Sequence, residues 1–223
     1  IGKTRLSIET ATQLENDFTD GVYFIPLASV GSIDAVIATI ANAIHFAFYG
    51  PSDPQAQLLN HLREKQMLLI VDNVEHLLVG GPRQETVVEL LVEILQQAAQ
   101  VKPLVTSRES LGLQDEWVFE VQGLPIPESI SEEGSTQNTS VELFLQRARR
   151  AHVGYTFTTQ DYPSILRICQ LIDGNPLGIE LAAAWLRTLS CDEIAREIEH
   201  GMGFLSISAR DLPVRHRSMQ AVF

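Results

Sequence analysis

Short apolar segments alternate with segments of helical periodicity along the first half of the chain, and this alternation limits the possible folds more than any other feature. Apolar runs begin the segments VYFIPLA at 22–28, MLLIVD at 67–72 and PLVTSR at 103–108. Such short runs are typical of strands that are buried on both faces of a parallel sheet. Because helical segments lie between them, the order of elements predicts βαβ units and an α/β fold.

Four helices are predicted in this half; an apolar stripe marks the first, and the last is amphipathic. These helices are predicted at 4–18, 33–48, 54–65 and about 84–98. Ser32 and Asp53 precede two of them and are expected to cap them through their side-chain oxygens. The alternating segment WVFEV predicts a further strand at 117–121.

The character of the sequence changes after Pro127. The segment 128–140 is polar, acidic and rich in residues that interrupt helices and strands, so it predicts a linker. The segments beyond it have a helical pattern, at 141–152, 164–174, 176–189 and 191–199. We therefore expect an α/β lobe at 1–127 and a small helical lobe at 141–205, with 206–223 beginning a connection to a further domain.

Composition and charge exclude several classes of protein. The 223 residues include 16 Lys and Arg against 28 Asp and Glu, for a formal net charge of -12. So acidic a chain lacks the general attraction to phosphates that nucleic-acid binding uses, and we expect none by this segment. The first residues, IGKTRLSIET, lack the pattern of a signal peptide, and no apolar run reaches the roughly 18–20 residues that cross a bilayer, so we expect no membrane-spanning segment here. Its two cysteines are too few for a disulfide framework. These features predict a cytoplasmic globular protein without membrane contact.

The first residues carry half of a phosphate-binding motif. Gly2, Lys3 and Thr4 match the end of G-x-x-x-x-G-K-[ST], in which backbone N–H groups cradle phosphates, the lysine reaches them and the hydroxyl binds Mg²⁺. The tripeptide alone also occurs in ordinary surface turns. Here a predicted helix and then a strand follow it, as the motif requires, so we predict a nucleotide-binding turn.

Polar residues lie at the carboxyl ends of the next two strands, which is where parallel α/β sheets bind their ligands. MLLIVD ends on Asp72, which predicts a carboxylate for the Mg²⁺ of a nucleotide, although a helix cap has the same pattern. Asn73 can orient a water, and Glu75 is the nearest carboxylate that could polarise one. Thr106 and Arg108 end the strand at 103–108.

Two further residues have one functional and one structural interpretation. The guanidinium of Arg108 could reach a γ-phosphate, or pair on the surface with Glu109. Pro176 follows Gly174 and Asn175 between two predicted helices, where proline favours the first helical position whether or not it contacts a ligand.

Four motifs in this order resemble those of the NB-ARC group of signal-transduction ATPases, the AP-ATPase branch of the STAND class, and above all its bacterial multidomain regulators. They are GKT at 2–4, LLIVDNVEHL at 68–77, VTSRE at 105–109 and CQLIDGNPLGIELAAAWLR at 169–187. The resemblance implies a P-loop NTPase fold, a three-layer α/β/α parallel sheet that lacks its first strand here, followed by a small helical lobe. The segment 215–223 resembles the beginning of the winged-helix domain that follows in this family.

The resemblance also implies residue roles. The residues assigned to nucleotide binding are Gly2, Lys3, Thr4, Arg5 and Pro176, the last against adenine. Thr4 and Asp72 would hold Mg²⁺. The catalytic group would comprise Asp72, Glu75 and Arg108, the last as sensor of the γ-phosphate.

The implied function is a conformational switch in a signalling or transcriptional regulator. ADP would hold a closed form, ATP with Mg²⁺ would favour an open form that can form homo-oligomers, and slow ATP hydrolysis would reset the switch. Its partners would be other domains of the same polypeptide: a winged helix, helical repeats or a DNA-binding output domain.

This interpretation has three alternatives. The acidic segment 128–140 argues against a metabolic P-loop kinase or transferase, and the net charge of -12 excludes DNA binding by this segment itself, though not by an output domain outside it. The third alternative is a catalytically inactive scaffold. The scaffold interpretation is supported by Asn73, because this residue replaces the second acid of many Walker B motifs.

Overall fold

The computed structural model describes residues 2–78, 86–128, 139–152, 154, 156–201, 203 and 205. The chain divides into two compact units, one of Lys3–Phe119 and one of Ile1–Gly2 with Glu120–Phe223. The division therefore lies between Phe119 and Glu120, whereas the change in sequence character predicts it after Pro127. Most of the predicted linker and all of 206–223 lie outside the described residues.

The unit Lys3–Phe119 contains a parallel sheet of three strands, in the order β1-β2-β3. The strands are β1 (Val22–Pro26), β2 (Leu68–Asp72) and β3 (Lys102–Thr106). Their register places Asp72 at the end of β2 beside Thr106 at the end of β3. The mixed α/β architecture with a parallel sheet is confirmed.

Among the described residues of this unit, four α-helices accompany the sheet, namely α1 (Lys3–Gln13), α2 (Ile33–Ala43), α3 (Pro54–Leu62) and α4 (Val87–Gln97). Both predicted caps are confirmed, since the side chain of Ser32 accepts from the N–H of Ala35 and that of Asp53 from the N–H of Ala56. The helix predicted at 33–48 ends earlier because His45 adopts a left-handed φ of 58°.

Helices cover the central strand β2 on both faces. Leu69 and Val71 belong to the buried cluster formed by α2, α3 and α4. Leu68 and Ile70 pack instead with Ala11 of α1. All five residues of β2 are buried, which explains why its first four residues are all apolar.

The prediction of a strand at 117–121 is wrong. This segment has no strand structure, and Trp117, Val118 and Phe119 are exposed, Trp117 by 98%. Alternation of β-forming residues expresses a local preference, but a strand also requires a neighbour for its backbone hydrogen bonds. The described sheet supplies no such neighbour to this segment.

In the second unit, the described residues between Ser140 and His200 form mainly helices, where the sequence pattern predicts them. Its helices are α5 (Ser140–Ala151), α6 (Tyr162–Leu171), α7 (Pro176–Ala184) and α8 (Cys191–His200). They share one buried core that includes Phe144, Ile168 and Ile194. Burial raises the pKa of the Cys169 thiol to about 11, and Cys169 is a free thiol. Among the described residues, every helix is too short or too polar to cross a bilayer.

Candidate functional site

Thr4 and Asp72 come together in the unit Lys3–Phe119. The hydroxyl Oγ1 of Thr4, near the start of α1, donates a hydrogen bond to Oδ1 of Asp72 at 2.5 Å. Asp72 is only 3% exposed, although aspartate is rarely buried without a partner. The two residues predicted to hold Mg²⁺, 68 positions apart in the sequence, are therefore neighbours.

Thr106 supplies a second donor to the same carboxylate oxygen. Its Oγ1 donates to Oδ1 of Asp72 at 2.7 Å, and Thr106 is 6% exposed. The same hydroxyl accepts a hydrogen bond from the N–H of Asn73 at 3.0 Å. The sequence pattern predicts Thr106 at a strand end but assigns it no role. The signal that could have found it is a hydroxyl at the end of the strand beside Asp72.

Asn73 has a structural role in the turn after β2. Its φ is 67°, a left-handed conformation that asparagine tolerates better than most residues. In this turn the N–H groups of Asn73 and Val74 both donate to the carbonyl oxygen of Thr106, at 3.1 and 3.2 Å. The backbone is thereby joined to the end of β3 directly behind Asp72.

Arg108 pairs with Glu75 and not with Glu109, the partner proposed from sequence. Nε of Arg108 lies 3.3 Å from Oε1 of Glu75, and the two side chains are 54% and 22% exposed. An ion pair this accessible contributes at most about 1 kcal/mol. Glu75, the predicted base, is thus within reach of the predicted γ-phosphate sensor.

The remaining residues of the predicted phosphate turn lie at the start of α1. Lys3 begins the helix and is half-buried, and Arg5 is exposed. Gly2 has a φ of 85°, a conformation that favours glycine. By its contacts Gly2 belongs to the second unit, where a Cβ at this position would lie 4.0 Å from Cγ of Pro176.

Pro176 occupies the first turn of α7, so its structural interpretation as a helix start is confirmed. The side chain of Asn175 caps this helix by accepting from the N–H groups of Leu177 at 3.0 Å and Gly178 at 3.2 Å. The contact of Pro176 with a ligand stays a prediction.

A neighbouring segment holds the turn that carries Pro176. The N–H of Leu124 donates to the carbonyl oxygen of Gly174 at 2.8 Å. A Cβ on Gly123 would collide with the carbonyl oxygen of Asp173, and one on Gly174 with that of Leu124. Both glycines are needed for this close approach of two backbones.

The side-chain oxygens of Asp72 and Thr4 are suitable ligands for a magnesium ion that binds together with a nucleotide. Within the described ranges, no group of three or more His, Cys, Asp or Glu could hold a metal by itself. Mg²⁺ does not need such a group, because it usually binds one or two carboxylates together with waters and substrate phosphates. One buried carboxylate beside one hydroxyl matches that requirement.

Comparison with known proteins finds relatives of this chain in mycobacteria. No protein-family model matches it. It is 33% identical over 225 residues to proteins of Mycobacterium bovis and Mycobacterium tuberculosis that carry the provisional name HTH-type transcriptional regulator. That match covers 99% of the chain and 23% of each relative. The chain is also 30% identical over 194 residues to a Mycobacterium tuberculosis protein that is named as uncharacterized. This second match covers 87% of the chain and 45% of that relative. The chain therefore spans about a quarter of the named relatives.

Proposed function

We propose that this chain is the nucleotide-binding module of a transcriptional regulator and that ATP or ADP, with Mg²⁺, acts on it as a conformational switch. The observation that carries the proposal is the convergence of Thr4, Asp72 and Thr106 at the carboxyl end of the sheet. Ligands of open parallel α/β sheets bind at this end of the strands.

The names of the relatives support the regulatory part of the proposal. Helix-turn-helix regulators bind DNA through a dedicated module. Since the chain spans 23% of these relatives and carries a net charge of -12, DNA contact is assigned to other parts of the polypeptide. The chain would then report the nucleotide state to those parts.

The proposed fold is that of a P-loop NTPase with three layers. In its support, α1 begins at Lys3 within the Gly-Lys-Thr segment and packs on one face of β2, and α2, α3 and α4 pack on the other. The polar ends of β2 and β3 then lie at the same edge as the start of α1, as the Thr4–Asp72 bond requires.

In this proposal each predicted site residue within the unit Lys3–Phe119 has a distinct role. Lys3 would neutralise phosphate charge, and Thr4 with Asp72 would hold Mg²⁺. The ion, when bound, supplies further positive charge to the phosphates. Arg108 would exchange the carboxylate of Glu75 for the γ-phosphate, which only ATP carries.

Such a switch requires that ATP and ADP make different contacts with the closed and open forms. A ligand shifts the equilibrium between two states only by the difference in its affinity for them. Arg108 supplies one such difference between ATP and ADP. Pro176 is proposed to contact the base of either nucleotide. ATP hydrolysis would be slow, with Glu75 as the proposed base, and homo-oligomers of the ATP form stay a prediction.

An inactive scaffold is the second candidate function. It is favoured by Asn73, which has a backbone role in a left-handed turn, and by Glu75, whose carboxylate lies beside Arg108. Such a protein would use the same fold for contacts without turnover.

The nucleotide content of the intact parent protein tests the proposal. The purified protein is denatured by heat, and the released nucleotides are separated by ion-exchange chromatography. We expect stoichiometric ADP from the wild type and none from Lys3→Ala. Lys102→Ala is the matched control, since Lys102 lies at the opposite end of β3 from Thr106. An empty wild type that also fails to bind added ATP with Mg²⁺ would favour the scaffold.

A further inference from the structure

We propose that Thr106 is a positioning residue for the magnesium site, an inference that rests on the proposed function. Thr106 would act through Asp72: its hydroxyl holds the carboxylate in the orientation in which it receives the ion that accompanies a nucleotide. Thr106 lies within the motif VTSRE at 105–109, but the resemblance assigns a role there only to Arg108.

The direction of the hydrogen bonds at Thr106 is settled by its neighbours. A backbone N–H can only donate, so the N–H of Asn73, 3.0 Å away, occupies the acceptor side of Oγ1. The single hydroxyl proton is then directed to Oδ1 of Asp72 at 2.7 Å. The result is a chain of two hydrogen bonds in which each polarises the next, at a buried site of low dielectric constant.

These two hydrogen bonds connect the carboxylate of Asp72, through Thr106, to the backbone N–H of Asn73 in the turn that follows. Asp72 ends β2, where its side chain could otherwise rotate, and Oδ1 receives donors from both Thr4 and Thr106. Two donors on one oxygen restrict the carboxylate to a single orientation. Mg²⁺ demands nearly ideal octahedral geometry, so its affinity depends on that orientation. Partners that orient a metal ligand typically change metal affinity by about 10–100-fold.

Thr106→Val removes the hydroxyl with little change of shape. The N–H of Asn73 keeps an acceptor in this variant, because it also donates to the carbonyl oxygen of Thr106 at 3.1 Å. Thr106→Ser restores a hydroxyl at the same position. Thr39→Val is the matched control, because it removes a hydroxyl that donates to the carbonyl oxygen of Ala35 within α2.

The experiment measures ADP affinity of the full-length protein by calorimetry, in EDTA and across a Mg²⁺ titration. For Thr106→Val we expect the Mg²⁺ concentration at half-maximal enhancement to rise about 10–100-fold, with metal-free ADP affinity unchanged. Thr106→Ser and Thr39→Val should behave as the wild type. Thr106→Val should add nothing to the loss caused by Asp72→Asn, since both act through one carboxylate.

Each other outcome has a definite meaning. If the wild type binds ADP and Mg²⁺ together but Thr106→Val does so equally well, the role of Thr106 is overturned and the proposed function stands. If Thr106→Val lowers metal-free and Mg²⁺-dependent affinity equally, together with the melting temperature, Thr106 is merely structural. If the wild type shows no Mg²⁺-dependent binding of nucleotide, the proposed function fails and the role of Thr106 fails with it.

Discussion

Arg108 and Glu75 face each other across 3.3 Å, so the predicted sensor of the γ-phosphate already has an anionic partner within its own unit. The pair is accessible and therefore weak. A triphosphate could displace Glu75 at small energetic cost, whereas a diphosphate lacks the group that would do so. This competition offers a direct way to change nucleotide preference by mutation.

Glu75→Gln should raise the affinity for ATP relative to ADP. The change removes the charge that competes for Arg108, and a pair worth at most about 1 kcal/mol sets the limit at about fivefold. Equilibrium titration of full-length protein with each nucleotide measures the ratio. Glu109→Gln is the control, because it removes an exposed neighbouring charge. An unchanged ratio in Glu75→Gln would show that the ion pair does not restrain Arg108.

Asp72→Ala should abolish the effect of Mg²⁺ on nucleotide binding and leave metal-free ADP binding largely intact. It should also lower the free energy of unfolding by about 1–3 kcal/mol, because the hydroxyls of Thr4 and Thr106 lose a shared acceptor. Calorimetry with and without EDTA and thermal unfolding check the two effects. Asp53→Ala removes a carboxylate that caps α3 by accepting from the N–H of Ala56, and it should leave the Mg²⁺ effect unchanged. Equal loss of binding with and without metal would contradict the metal role of Asp72.

Pro176→Ala should weaken ADP binding more than it lowers stability. The first turn of a helix tolerates alanine, so α7 should still form, while the proposed contact with the base is lost. Pro54→Ala makes the same change in the first turn of α3 and is the matched control. A fall in melting temperature without a change in ADP affinity would make the turn purely structural.

Gly123→Ala should destabilise the second unit. Its Cβ would meet the backbone carbonyl oxygen of Asp173, which cannot move without disturbing the turn before α7. Overpacking of this kind costs about 1–3 kcal/mol. Gly31→Ala is the control, because no atom lies within 4 Å of the added methyl group there. Chemical denaturation of both variants measures the difference, and equal midpoints would contradict the close approach.

Local features of the sequence were sufficient where neighbouring residues supply the interaction. The caps Ser32 and Asp53 bond to N–H groups three residues away, so their function can be recognised from a few positions. The segment at 67–72 could be predicted as a buried strand because both of its faces are apolar. The segment at 117–121 shows the limit of such patterns, since its backbone has no adjacent strand in the described sheet.

By itself, then, the sequence determined the alternation of helices and strands, the caps and the motifs that nominate Thr4, Asp72 and Arg108, because each depends on residues close together in the chain. Only the tertiary structure decided that Thr106 bonds to Asp72 and that Arg108 faces Glu75. Those contacts depend on strand register and on the turn after β2. Residues about 30 positions or more apart meet there because the sheet aligns its strand ends.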